Sequence, residues 1–474
     1  MLLRPIPPAV PAQSKFGPQP TYRYDLKLDV DHHDLAGHGT IDVVNNQQTP
    51  LDELVFRSWG SAKSYANDGG RVSVTGITVD GEQSSAKQDG TVIRIPLAQP
   101  LQPGERTQVG LVLHAHTPKI SDRFGSDNHG NVMFGNVLPT LAVRDDEGWN
   151  TDPYMPWGES SYTTTADWDV TVRAPKGTTI TASGTAVDEA LAGDHVAHHI
   201  TAPNVRDFYV GAGAQLQKIS ATVDGTVINV FTGKDDAKAA ATMLEATRAS
   251  VRYFNEHLGT YDYPELNVVG LPHFISVGME FPNAVLVDSK DTAADLYSTT
   301  VHEIAHQWFY GMVGNNQYDD PWLDESLTTF VENRFLHDTQ GRPIPQPAKS
   351  LEAAYKKAGD HDLTSPVSVL AKGARDDKSA EPYVSTVYKI GPMVLEHLRS
   401  DIGAEVFDRG LREFFDANKH GIASTQGFIT AMSQSAGRDL TGWFAQRRVL
   451  AHEPRANDQL DPNGPAAPGA GYGS

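Results

Sequence analysis

The segment Thr299–Gly311, TTVHEIAHQWFYG, carries two histidines four positions apart with a glutamate next to the first. The segment reads as a helix, and on a helix residues i and i+4 stack on one face, so His302 and His306 point the same way. Paired imidazoles suit zinc, whose catalytic sites take three protein ligands and keep a fourth position for water. Glu303 lies beside that face and is the expected base that takes a proton from the bound water. The chemistry implied is metal-assisted hydrolysis.

A third ligand is needed. In the metzincin arrangement positions 309 and 312 would be Gly and His; here they are Phe309 and Met312. A carboxylate further along must therefore serve. Gly311, Gly314, Asn315 and Asn316 end the first helix, and Asp319-Asp320-Pro321 has the form of an N-cap followed by proline in the first turn. Helix, loop and returning helix bring Glu325 back towards the histidines, giving a site of His302, His306 and Glu325 for one Zn2+ per chain.

HEIAH followed after 18 residues by the glutamate of WLDES resembles peptidase family M1, the aminopeptidase N and leukotriene hydrolase family, whose pattern is HExxH and then the Glu of WLNE. Asp324 stands where that family has Asn, a departure that bears on how ligands are oriented and not on ligation. Upstream, SVGMEFPNAVLVD contains Gly278-Met279-Glu280 and resembles the family's GAMEN segment, with Val277 in place of its first Gly and Phe281 in place of its Asn. The resemblance assigns Glu280, with Gly278 and Met279 beside it, to binding the free α-amine of a substrate. A carboxylate that clamps an ammonium one residue from the metal lets only the first peptide bond reach it. Downstream, PYVSTVYKIGPMVLEHL is similar to the segment holding the family's catalytic tyrosine, just before a Gly that opens a helix. Tyr388 fits that place, with Tyr383 as second candidate, and would donate to the oxyanion formed during attack. The resemblance thus implies a gluzincin: a zinc metalloprotease, specifically an aminopeptidase, acting on peptides with a free N-terminus.

The elements that must position these residues also have signatures. Tyr22, Tyr24, Leu26, Leu28 and Val30 alternate with Arg23, Asp25, Lys27 and Asp29, the pattern of a half-buried strand. Short Val-, Ile- and Thr-rich segments near 40–44, 53–59, 72–79, 91–97, 106–114, 168–174 and 178–187 follow, separated by turn residues. Residues 21–213 read as an antiparallel β-sandwich-like domain. After the strand Val227–Phe231, Asp235 and Asp236 sit where N-caps belong, and Met243, Thr247, Val251, Phe254 and Leu258 fall at helical spacing until Gly259. Helical segments dominate to Leu450, interrupted by the strand-like Asn267–Asp288. Residues 214–455 are expected as a mainly α domain, thermolysin-like by the family resemblance. Residues 1–20 form a Pro-rich start and 456–474 a Gly/Pro/Ala-rich tail expected to be disordered. Many family members continue into a helical domain that roofs the site. This chain ends soon after the expected helix Leu440–Leu450, so the expectation is a short, two-domain form with a more open cleft.

Composition limits the alternatives. The 474 residues leave room for two or three cores, and a net charge of -20 repels the phosphates of nucleic acid. No apolar run reaches the roughly 18 residues that cross a bilayer. Without any Cys, disulfides, thiolate zinc ligands and thiol nucleophiles are excluded, leaving imidazoles and carboxylates. A monomer is expected. The start Met1–Gln13 lacks the apolar stretch of a signal peptide, the reading of a cytoplasmic chain unless a leader has been removed. His32-His33, His114, His116 and His198-His199 read as solvent-facing or packing residues of the β-domain. His273, just before the GAMEN-like segment, lies near the cleft without a ligand role. The competing readings are an endopeptidase, should Glu280 not face the cleft, and a non-catalytic binding protein on the same scaffold. An epoxide hydrolase activity like that of the leukotriene branch has no independent support in the sequence.

Overall fold

The alternating start forms the strand Thr21–Asp29, burying Tyr22, Tyr24, Leu26 and Leu28 and exposing Arg23, Asp25 and Lys27. In the computed structural model, which describes residues 19–145, 147–159, 161–191, 193–344, 351–374 and 377–451, this strand lies near the middle of an eight-stranded sheet. The Pro-rich start, apart from Gln19 and Pro20, and the Gly/Pro/Ala-rich tail fall outside the described residues. The sheet order is Thr185–Ala190, His195–Val205, Ala166–Pro175, Thr21–Asp29, Asp34–Val44, Arg106–His116, Arg71–Val79 and Glu82–Gln83. Every neighbouring pair is antiparallel except one: Thr21–Asp29 runs parallel to Ala166–Pro175. A parallel pair needs a long crossover, and here the whole of the intervening β-region supplies it.

Two four-stranded sheets, one containing Asn131–Phe134 and Val210–Gly213, the other Leu51–Arg57 and Val92–Leu101, accompany it in the N-terminal region, with a two-stranded ribbon of Arg144–Asp145 and Gly148–Trp149. The stretch 178–187, expected as one strand, is two strands in different sheets, Thr179–Ala182 and Thr185–Ala190. The break falls at Gly184, where φ is 86° and a Cβ would overlap the Thr201 carbonyl, so only glycine fits.

From Leu216 the chain builds a five-stranded sheet, ordered Leu216–Val223, Thr226–Gly233, Glu265–Leu271, Ala284–Asp288 and Gly278–Met279. Its central strands are parallel, and the short Gly278–Met279 is an antiparallel edge. Helix α1, Ala237–His257, buries Met243, Thr247, Val251 and Phe254, as the helical spacing requires. Burying each of the larger apolar side chains contributes roughly 1.5–3 kcal/mol. Asp236 stands at the N-cap, yet its carboxylate does not cap: it accepts from Ser289 Oγ at 3.3 Å and pairs with Lys290. The helix start is thereby tied to the end of strand Ala284–Asp288.

Helices α2 (Ala293–Ala305), α3 (Pro321–Gln340) and α4 (Gly391–Ile402) then enclose the space below the sheet edge. The expected helix Leu440–Leu450 is shorter, Thr441–Ala445, because the chain closes a turn, Val449 N–H donating to Phe444 O with Arg448 at φ 58°. One continuous apolar core runs from Tyr22 and Trp168 of the N-terminal sheets to Trp308, Phe428 and Phe444 among the helices. No helix among the described residues is long and apolar enough to cross a membrane.

Candidate active site

Helix α2 starts with the Thr292 side chain accepting from the Asp295 N–H and ends at Ala305, short of the Gly311 expected from sequence. His306 occupies its C-cap. Beyond it the turns tighten: Gln307 N–H donates to Ile304 O and Trp308 N–H to Ala305 O. Tyr310, at φ 138°, then reverses the chain into the strand Val313–Asn315, which pairs with Gly421–Ala423. His302 and His306 nevertheless share one face, with their Nε2 atoms 3.1 Å apart.

Pro321 opens α3 at its first turn, as expected, although the Asp320 carboxylate accepts from Thr425 Oγ1 at 2.9 Å instead of capping. Glu325, one turn in, places Oε2 3.4 Å from each histidine Nε2. The outer nitrogens are committed: His302 Nδ1 lies 3.0 Å from Glu332 Oε2 and His306 Nδ1 3.1 Å from Phe309 O. With protons on those nitrogens, the two Nε2 lone pairs converge on the Glu325 carboxylate, an arrangement that a cation resolves. Glu325 Oε2 and Glu303 Oε2 are buried without a hydrogen-bond partner. Two imidazoles and a carboxylate are the donor set of a catalytic zinc site, so these residues fit the metal.

Burial disfavours charge on His302, but the carboxylates of Glu325 and Glu332 beside its two nitrogens lift its pKa to about 10. Burial pulls Glu325 upward, and the two histidines more than reverse this, holding its carboxyl well below the usual range. Glu303 is lifted to about 7 by burial, opposed by His302 and His306 and reinforced by Glu325 and Glu159. A carboxyl poised near neutrality suits a group that accepts and returns a proton.

The edge strand passes directly over this base. A Cβ at position 278 would overlap Glu303 Oε1, so Gly278 is what lets the strand approach. Val277 has φ 62°, a left-handed conformation in which the resembling segment has glycine. Met279 and Phe281 turn into an apolar cluster with Tyr209 and Phe274, Phe281 stacking on Tyr209 at 5.2 Å. Phe281 thus binds the segment to the N-terminal region instead of presenting a polar group. Glu280 turns the other way: Glu280, His306 and Asp324 each bring a ligand atom within 4.8 Å of the others'. Burial, then the Glu159 charge, pushes the Glu280 carboxyl well upward.

Tyr388 shortly precedes the helix opened by Gly391, as expected, and itself lies inside a wide π turn, Ser385–Ile390, joining Asp377–Val384 to α4. The turn directs its hydroxyl to Glu325 Oε1 and its ring to 6.0 Å from His302. Tyr383 packs behind it among Trp157, Leu370 and Val387. The structure therefore brings His302, Glu303, His306, Glu325, Glu280, Gly278 and Tyr388 together around the histidine pair.

Several participants escaped the sequence reading. Glu332 lies two helical turns after Glu325, a spacing that could have flagged it. Asp324, by contrast, was expected to bear on ligand orientation, and it sits with Oδ1 3.0 Å from His306 Nδ1 and accepts from Gln317 at 2.7 Å. Glu159, held bidentately by Arg123 at 2.5 and 2.8 Å, arrives from an N-terminal loop; no local pattern marks it. The other histidines gain carboxylates across strands: His114 and His116 share Asp34, and His198 pairs with Asp188. None of them, nor His273, joins a group with metal-holding geometry among the described residues.

His302 and His306 of the HExxH helix and Glu325 of the following helix thus form one group that could hold a metal ion. Residues 242–446 match the family model of the peptidase family M1 domain. Among curated proteins it is similar to Aminopeptidase M1-A of Oryza sativa subsp. japonica, 24% identical over 443 residues covering 88% of this chain and 48% of the relative. It is also similar to Probable aminopeptidase 1 of Sulfurisphaera tokodaii, 25% identical over 50% of this chain and 32% of that protein. Aminopeptidase N of Streptomyces lividans is 26% identical over 43% of this chain and 25% of its own length. The chain spans about half the length, or less, of these relatives.

Proposed function

We propose that this chain is a zinc-dependent aminopeptidase that releases the N-terminal residue of peptides. The observation that carries the reading is Glu280, a buried carboxylate directly after the edge strand Gly278–Met279, with an oxygen within 4.8 Å of a His306 ring nitrogen. An extended peptide adds to such an edge through backbone hydrogen bonds, and its ammonium then meets Glu280. The names of the similar proteins support the same activity.

When bound by His302, His306 and Glu325, zinc supplies a Lewis acid and a water acidified to near neutrality. Glu303 accepts the proton of the attacking water and returns it to the leaving amine. Tyr388 releases Glu325 and donates its O–H to the oxyanion of the tetrahedral intermediate. Glu332 holds the His302 ring in the tautomer that presents Nε2. Glu280 fixes the N-terminus so that only the first carbonyl reaches the cleft.

The test compares aminoacyl reporter peptides with their N-acetylated twins, on zinc-loaded and chelator-treated protein. Strong preference for the free amine, lost on chelation, is expected. Equal rates on both substrates would leave an endopeptidase, and activity that survived metal removal would overturn the zinc reading.

A further inference from the structure

Among the described residues no hydrogen bond holds the Glu280 carboxylate, so its place in the cleft is set by its backbone. That backbone is gripped by one side chain. Gln307, fully buried and next in sequence to His306, donates from Nε2 to Phe281 O at 3.2 Å and to Glu280 O at 3.4 Å. Its Oε1 accepts from Asn283 N–H at 2.9 Å. The segment it grips turns tightly: Asn283 has φ 63°, and Ala284 N–H closes onto Phe281 O at 3.0 Å.

We infer that Gln307 is the positioning residue that sets the distance between the amine anchor Glu280 and the metal-binding histidines, and hence restricts cleavage to the first peptide bond. The inference rests on the aminopeptidase reading above. The amide is suited to the task because it is a donor on one side and an acceptor on the other, matching two carbonyls and one N–H. Phe281, stacked on Tyr209, holds the same turn from the opposite side. A strut one residue from His306 transmits any shift of the metal-bearing turn to the anchor strand without an intervening loop.

Gln307→Met keeps the length and removes the hydrogen bonds; Gln307→Glu keeps the shape and the Asn283 contact but, ionised, offers the carbonyls no donor. The measurement is kcat/KM on a free-amine reporter divided by that on its acetylated twin. The expected result is a fall of about tenfold or more in this ratio, carried by a higher KM for the free amine, with bound zinc unchanged. In parallel, hydrogen exchange at the Asn283 N–H is expected to quicken about tenfold or more. An unchanged ratio and unchanged exchange in folded, zinc-loaded variants would overturn the inference, as would failure of both variants to fold. Should the wild type itself show no amine preference, the aminopeptidase reading falls, and exchange at Asn283 alone then decides whether Gln307 is the strut.

Discussion

At His302 a proton and a metal ion compete for one nitrogen. Its pKa is raised to about 10, so below that pH the apo ring is charged and must lose a proton before Nε2 can ligate. Zinc affinity is therefore expected to rise with pH, by about tenfold per unit for each proton displaced, and to level off once the ring is neutral. Chelator competition or calorimetry between about pH 6 and 8 reads this slope; a flat profile would mean that the histidines are already neutral. The residues in this competition were legible because chemistry dictates their types and the helix dictates their spacing. Glu332 was half legible, sitting at helical spacing without a motif to announce it. Glu159 and Arg123 were not, because a loop brings them to the site and its path depends on the packed fold.

At the scale of the element, the segment from Val277 to Asn283 is short, twice left-handed and pinned between Gln307 and Tyr209. A β-branched residue at φ 62° carries strain of roughly 1–3 kcal/mol. Val277→Gly is expected to stabilise the chain by about 1 kcal/mol, since glycine's greater freedom in the unfolded state offsets part of the relief. Urea denaturation measures it, and a lower midpoint would show that the Val277 side chain contributes more by packing than the strain costs. Element types followed from periodicity, while element ends did not. α2 stops at Ala305 and the expected helix after Leu440 stops at Ala445, because tertiary turns take over hydrogen bonds that local pattern assigns to the helix. The π turn around Tyr388 has the same origin: apolar spacing continues through it, and only the backbone widens.

Across the whole molecule, a single guanidinium joins three distant segments. Arg206, almost fully buried, donates to Thr163 O at 2.9 Å, Gly421 O at 3.0 Å and Gly311 O at 3.2 Å. No carboxylate among the described residues forms an ion pair with it, and burial lowers its pKa. Arg206→Met would orphan three buried carbonyls and is expected to cost about 3 kcal/mol or more. A lower midpoint in urea for the metal-free chain checks this; an unchanged one would mean that water replaces the guanidinium. Sheet order at this scale was not legible, since alternation marks a strand without naming its neighbours. The parallel pairing of Thr21–Asp29 with Ala166–Pro175 is the clearest instance, and it has a temporal consequence. Thr21–Asp29 gains one neighbour early, from Asp34–Val44, but its other edge stays open until Asp167 and the residues after it have left the ribosome. An apolar, half-paired strand is what chaperones hold and what aggregates capture. The N-terminal sheet thus has its longest exposure during translation, and the metal-binding helices, made after it, reach a sheet that can already be closed.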